Sequence, residues 1–201
     1  MRLAVVTVLV AVLALTGCAT GGDVALPGAA DVDVDTPRLH QMKARAGVED
    51  CPPAGGERVD GGLPAVTLPC LGGGRDVDLA ALRGPMVVNL WASWCGPCRR
   101  EMPVLQQFHE DHGDRVGVLG IDWQDPQVES AMELVADSGV TYPLLADPEA
   151  ELATVDGMTV RGLPGLVLLD AEGRVAYRSL MEIESEAQLV DLVNRHLGTS
   201  L

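Results

Sequence analysis

Met86-Val87-Val88-Asn89-Leu90-Trp91 runs through Ala92-Ser93 straight into Trp94-Cys95-Gly96-Pro97-Cys98, and this join decides the fold. The apolar run reads as a buried strand. The cysteine motif reads as the start of a helix, where Pro97 is well placed because its missing N–H costs nothing in the first turn. Two cysteines three residues apart at that turn bring their sulfurs within bridging distance. The helix N-terminus favours a thiolate on Cys95, while Cys98 sits one turn deeper. That layout suits thiol–disulfide exchange. An exposed Cys95 attacks a substrate disulfide, and Cys98 then attacks the Cys95 sulfur and releases reduced substrate. An oxidised pair meeting a thiol runs the same steps backwards. The redox-active Cys95–Cys98 disulfide is then the reacting group itself, and no further cofactor or metal is expected.

Outward from this join, short strands are predicted over 63–68 and 76–79, around the turn Gly72-Gly73-Gly74. A helical turn follows at 80–84. The motif helix should stop at Gly113, a position suited to a left-handed C-terminal cap, with a kink at Pro103. A second buried strand is predicted over 116–121 and a helix over 127–138, where Val128, Met132 and Val135 recur at helical spacing and Gly139 ends the run. An extended piece at 142–145 and a short helix at 148–155 come next. The turn Ala171-Glu172-Gly173 joins strands at 166–170 and 174–178, and an amphipathic helix over 184–196 closes the chain. Apolar strands alternating with helices, then a hairpin and a last helix, imply a mixed α/β sheet covered on both faces. Strand ends and helix starts then share one rim, where sites are built.

Zinc is the chief rival for Cys-x-x-Cys, with His109 and His112 as further ligands. If Cys98 and His109 share one helix, 11 residues of rise separate them by about 16 Å, far beyond a shared metal whose ligands lie about 2 Å away. The histidines read instead as a solvated, cation-favouring helix end.

The run Asn89-Leu90-Trp91-Ala92-Ser93-Trp94-Cys95-Gly96-Pro97-Cys98-Arg99-Arg100-Glu101-Met102-Pro103 resembles the thioredoxin superfamily. It is most similar to the extracytoplasmic TlpA/ResA-like branch, which includes cytochrome c maturation reductases. Arg161-Gly162-Leu163-Pro164 resembles the cis-proline loop of that superfamily. The resemblance covers about 63–197 and implies a thioredoxin core with an N-terminal β-hairpin and a central insertion, here 125–155. It also implies that the Pro164 peptide bond is cis and faces Cys95, so that the Leu163 backbone pairs with a bound chain; a trans proline at a strand edge is the other reading. Trp94, Gly96 and Pro97 complete the implied substrate-binding surface, with Trp91 in the core. Glu101, one turn beyond Cys98, matches an acidic residue that tunes the thiols in ResA-like reductases and would pass protons to Cys98. Spacing alone leaves it a glutamate that suits the helix dipole. Asn89 departs from cytosolic thioredoxins, which place a buried aspartate there, and Leu163 and Gly165 depart from the thioredoxin pattern around the proline. Arg99 and Arg100 read as a solvated helix face that lowers the Cys95 pKa slightly at most.

The N-terminus carries Arg2, an apolar stretch from Leu3 to Leu15, and then Leu15-Thr16-Gly17-Cys18. This pattern reads as a secretory signal, too short for a full span of about 20 residues. Leu-Thr-Gly-Cys resembles a bacterial lipobox, which implies cleavage before Cys18 and lipid on its sulfur. Residues 1–17 are then a signal peptide, 18–49 an acidic flexible linker with a short helix over 37–46, and 50–201 the thioredoxin-like domain. Of five cysteines, assigning Cys18 to lipid leaves two pairs in a compartment where disulfides persist. Cys51–Cys70 is the expected structural bridge, unless the two are free or bind metal.

The formal net charge is −15, and −16 without the leader, whose one charge is Arg2. Nucleic acid, which needs a basic face, is excluded as a partner. A polybasic route to the membrane is disfavoured, so the lipid on Cys18 is the expected tether at the extracytoplasmic face of the cell membrane. The expected partners are exported protein thiols or disulfides, apocytochrome c among those the resemblance implies, and a membrane electron donor. Cys-Gly-Pro-Cys resembles the thioredoxin active site, near about −270 mV, which points to a reductase. A disulfide-forming oxidase of the same fold and a non-enzymatic binding module are the alternatives. A module of the latter kind usually lacks one or both motif cysteines. A peroxidase would need an isolated peroxidatic cysteine, whereas Cys95 has an adjacent resolving thiol.

Overall fold

The computed structural model describes residues 30–53, 56–155 and 162–201. The expected signal peptide, Cys18, the first part of the expected linker and Arg161 lie outside the described residues.

Among the described residues, four helices and seven strands run in the order α1 (Pro37–Ala46), β1 (Thr67–Leu68), β2 (Val77–Asp78), β3 (Met86–Trp91), α2 (Gly96–His112), β4 (Gly117–Trp123), α3 (Val128–Asp137), β5 (Leu144–Asp147), β6 (Gly165–Leu169), β7 (Val175–Ser179) and α4 (Glu186–Leu197), with 3-10 turns at Leu79–Ala81 and Glu151–Ala153. β1 and β2 form a separate antiparallel hairpin, and the main sheet has the order β5-β4-β3-β6-β7. β3 is parallel to β4 and antiparallel to β6, and β5 joins β4 in parallel. This is a thioredoxin-like mixed α/β fold. The implied insertion, 125–155, contributes α3, β5 and the second 3-10 turn.

Alternation along the strands sorts the core into two layers. Val87, Trp91, Val118 and Leu168 pack on one face with Leu39 of α1, Met102 of α2, Val135 of α3 and Leu189 of α4. Val88, Leu90, Ile121 and Val167 pack on the other with Leu68, Val77 and Leu79. The helices gather on one side, and the hairpin with its 3-10 turn covers the other. Gly120 is required in the middle of β4. A Cβ there would lie 2.6 Å from Leu144 Cδ2 and 3.0 Å from Trp91 Nε1.

The structure departs from the flexible-linker expectation over residues 30–49. Ala30 N–H already donates to the Pro148 carbonyl at 2.8 Å. Val34, Leu39 and Val48 are buried in the helical layer, and α1 packs against α3. The helix bounds are as read from sequence. Thr36 Oγ1 accepts from Leu39 N–H, Pro37 opens the helix, and Gly47 closes it in the left-handed region at φ 74°. The physical reason for the difference is that a few apolar side chains on one stripe suffice once a neighbouring helix covers them.

α2 continues through Pro103 and ends at Gly113, which is right-handed (φ −61°) rather than the expected left-handed cap. His109 and His112 are half-buried rather than solvated, with Nε2 atoms 3.0 Å from Glu49 and 3.4 Å from Glu186. Each packs over α2's last turns while its outer nitrogen meets a carboxylate.

Candidate active site

β3 ends at Trp91, and the chain turns through Ala92-Ser93-Trp94 into α2. Cys95 is the helix N-cap, and its Sγ accepts the Cys98 N–H at 3.2 Å. Cys95 and Cys98 are disulfide-bonded, with Cα atoms 5.3 Å apart. Cys95 is 5% exposed and Cys98 0%. Only Cys95 touches solvent, but far less openly than the sequence reading expects. The turn into α2 folds back over it, with Cys95 N–H bonded to the Ala92 carbonyl at 3.1 Å.

The rest of the implied binding surface surrounds this rim. Trp94 is exposed and its Nε1–H donates to the Gln124 carbonyl at 3.1 Å. Gly96 is exposed and faces open space. Pro97 is half-buried in the first turn. β6 pairs with β3 in the register Leu90↔Gly165, which carries Leu163 and Pro164 to the rim where β3 hands over to the motif. The Leu163–Pro164 bond is cis, as the resemblance implies. Pro164 is buried and Leu163 half-buried. A second cis bond, Gly84–Pro85, has no counterpart in the sequence reading. Beside Trp94 lies a cavity of about 360 Å³ lined by Ser93, Arg99, Gln127 and Glu133.

Glu101 is fully enclosed beneath the helix, one turn beyond Cys98. Its Oε1 accepts from Asn89 Nδ2 at 2.7 Å and its Oε2 from the Ile183 N–H at 3.1 Å. Burial pushes its pKa up to about 7, against the opposing pull of those two hydrogen bonds, and Glu182 adds a smaller upward push. A carboxyl poised at neutrality beside a buried thiol is suited to holding or releasing a proton. Asn89 Nδ2 also lies 3.4 Å from the Gly165 carbonyl. It therefore ties β3, β6 and Glu101 together, occupying the position where cytosolic thioredoxins carry an acid. Arg100 is exposed and pairs with Glu182 through both guanidinium nitrogens, at 2.8 and 2.6 Å.

Two acids near the site escape the sequence reading. Asp125 is buried, and its Oδ2 accepts the Ser93 N–H at 2.6 Å while Oδ1 accepts the Gln127 N–H at 2.9 Å. It pins the loop that delivers Trp94 and Cys95. Asp122 pairs with Trp91 across β4 and β3 and is fully buried. Burial, then the neighbouring Asp125, holds its carboxyl well above the usual carboxylate range. The Asp125-Pro126 dipeptide is the one signal that marked a turn here.

Cys51 and Cys70 are bonded to each other, with Cα atoms 6.0 Å apart, away from the motif. Cys98 and His109 lie on the one helix α2, so their separation is the 16 Å or so given by helical rise. Among the described residues, no helix is long and apolar enough to cross a membrane.

The AhpC/TSA family matches residues 59–178 of this chain. Over 115 residues the chain is 34% identical to a thiol:disulfide interchange protein DsbE homolog of Paracoccus denitrificans, a match covering 57% of this chain and 58% of that protein. It is 30% identical over 149 residues to the thiol:disulfide interchange protein DsbE of Allochromatium vinosum, covering 70% and 78%. The chain thus spans less than two thirds of the Paracoccus protein's length. Among solved structures, a DsbF homologue from Corynebacterium diphtheriae aligns with a TM-score of 0.57 at 30% identity, covering 74% of this chain and 99% of that one.

Proposed function

The chain belongs to the AhpC/TSA family of thioredoxin-like proteins, and on that premise we propose that it is an extracytoplasmic thiol–disulfide oxidoreductase that reduces disulfides of exported proteins. One observation carries the proposal. The Cys95–Cys98 disulfide opens α2 with only Cys95 reaching solvent, and a carboxyl poised near neutrality lies one turn behind it.

The mechanism follows from that depth order. In the reduced enzyme, the Cys95 thiolate is held by the helix N-terminus and the Cys98 N–H. It attacks one sulfur of a substrate disulfide, forming a mixed disulfide as the other sulfur leaves with the electron pair and takes up a proton. Glu101, ionised, accepts the Cys98 proton. The Cys98 thiolate then attacks Cys95 Sγ, the substrate thiolate departs, and the enzyme is left oxidised. Two electrons have passed to the substrate. Because Cys95 is so little exposed, a substrate chain must present its disulfide closely at the rim formed by Trp94, Gly96, Pro97, Leu163 and Pro164. Restoring the dithiol in an oxidising compartment needs a membrane electron donor. The lipid on Cys18 is the proposed tether, and the Cys-x-x-Cys-His site of apocytochrome c is the proposed client.

The test is a Cys98→Ala variant of the full chain, expressed at native level. Exported proteins bearing cysteine pairs should be held covalently by Cys95 and released by dithiothreitol. Absence of any such adduct would sink the proposal. A reduction potential near that of the periplasmic oxidant, about −120 mV, would reverse the assigned direction and make the protein an oxidase.

A further inference from the structure

The Cys51–Cys70 disulfide has a neighbour that a purely structural bridge does not require. Lys43 of α1 is 6% exposed, and its Nζ lies 3.3 Å from Cys70 Sγ. Its other partners are the Gly73 carbonyl at 2.9 Å and the Asp50 carboxylate at 3.7 Å, whose side chain is almost wholly in solvent. A buried ammonium is costly unless an anion meets it. In the oxidised state it has one neutral carbonyl, one screened carboxylate and an uncharged sulfur. A thiolate on Cys70 would supply the missing anion.

We propose that Cys51–Cys70 is a second redox couple, reduced by dithiols, in which Cys70 leaves as a thiolate held by the Lys43 ammonium. This stands independently of the chemistry at Cys95. A thiolate of the dithiol attacks Cys51 Sγ, and the Cys51–Cys70 bond breaks with its electron pair on Cys70 Sγ. The second thiol of the reductant, as thiolate, attacks its own partner sulfur in the mixed disulfide, and Cys51 leaves and takes up a proton. The dithiol becomes a disulfide and the protein gains two electrons. Of the two protons given up, one ends on Cys51 and one goes to solvent. A stabilised thiolate is the better leaving group and raises the couple's potential.

Access is comparable to that of the motif. Cys51 is 3% exposed against 5% for Cys95. An open cavity of about 410 Å³, lined by His40, Asp50 and the Gly72–Gly74 turn, reaches Lys43. Gly74 adopts φ 132°, and a Cβ there would sit 3.3 Å from Cys70 Sγ. Among the described residues, the ionisable groups lining this cavity beside the couple are Lys43, Asp50 and His40, the last paired with Asp35. Cys70 also bridges to Leu145 of β5, so the disulfide is a covalent tie between the segment after α1 and the sheet edge, and reduction removes that tie.

The experiment equilibrates the full chain in dithiothreitol redox buffers, with acid quenching, alkylation and peptide mass spectrometry to score each pair separately. In the wild type, over the range below neutrality, the constant for reducing Cys51–Cys70 should increase about tenfold for each unit that the pH is raised, because each reduction releases one proton. Lys43→Met should remove that slope and lower the constant at neutral pH by about tenfold or more, equal to about 30 mV. Lys43→Arg should restore it, and the Cys95–Cys98 constant should not move in either variant. A pH-independent wild-type constant would overturn the proposal, and that measurement needs no variant to fold. So would equal constants in wild type and Lys43→Met, or a pair that stays oxidised until circular dichroism reports unfolding.

Discussion

The Cys95–Cys98 and Cys51–Cys70 disulfides are both nearly closed to solvent, but the groups around them differ in kind. At the first, the cysteines are three residues apart and the field comes from the backbone, through the start of α2 and the Cys98 N–H aimed at Cys95 Sγ. Glu101, one turn away, is the proposed proton carrier. At the second, 19 residues separate the cysteines, no helix starts there, and the field comes from a single ammonium. Two solutions to the same problem, holding charge on sulfur away from water, thus sit in one domain. Of the two, only the first has a buried carboxyl with a raised pKa behind it.

The largest expected separation between the two is in turnover. Cys95→Ala should reduce exchange with a dithiol–disulfide substrate pair to the buffer blank, whereas Cys51→Ala/Cys70→Ala should retain it. That double variant should instead lose about 3 kcal/mol of stability by the chain-entropy account, read from chemical denaturation. Glu101→Gln sharpens the contrast further. The wild-type rate of mixed-disulfide resolution should rise with pH through about 7 as Glu101 ionises. The variant should lose that step and slow by on the order of 100-fold at neutral pH, in stopped-flow traces.

The same group leaves a signature on folding. Its native pKa of about 7 exceeds the unfolded value of 4.5, so the native state holds a proton that the unfolded chain has released. Stability from this group is therefore full below about 4.5 and falls as pH rises toward 7, by at most about 1.4 kcal/mol per unit. The smallest effect is expected at the loop. Asp125→Ala strands the Ser93 N–H and should cost about 1–3 kcal/mol, with a lower exchange rate and an unchanged Cys51–Cys70 couple.

The strand–motif–helix join was legible because its signals are local. β3 matches the apolar run residue for residue, and α2 starts where Pro97 and the cysteines say it should. The hairpin and edge strand came out shorter or shifted, since short apolar runs do not define their own ends. What stayed hidden depends on distant partners. Lys43, Asp122 and Asp125 carry no local signal of burial, and only the neighbouring elements that close over them bury them. α1 read as part of a tether because its apolar stripe is thin, and only α3 turns that stripe into core. The Asn89–Glu101 hydrogen bond joins two residues, on a strand and a helix, that their sequence spacing alone does not link.

The attachment of Ala30 to Pro148 sets a leash length. From Cys18 to Ala30 there are a dozen steps, which at full stretch cover about 40 Å. A lipid on Cys18 would therefore keep the catalytic head skimming the bilayer within roughly its own width. Clients would have to be met close to the point of their emergence, and distant soluble partners would lie out of range.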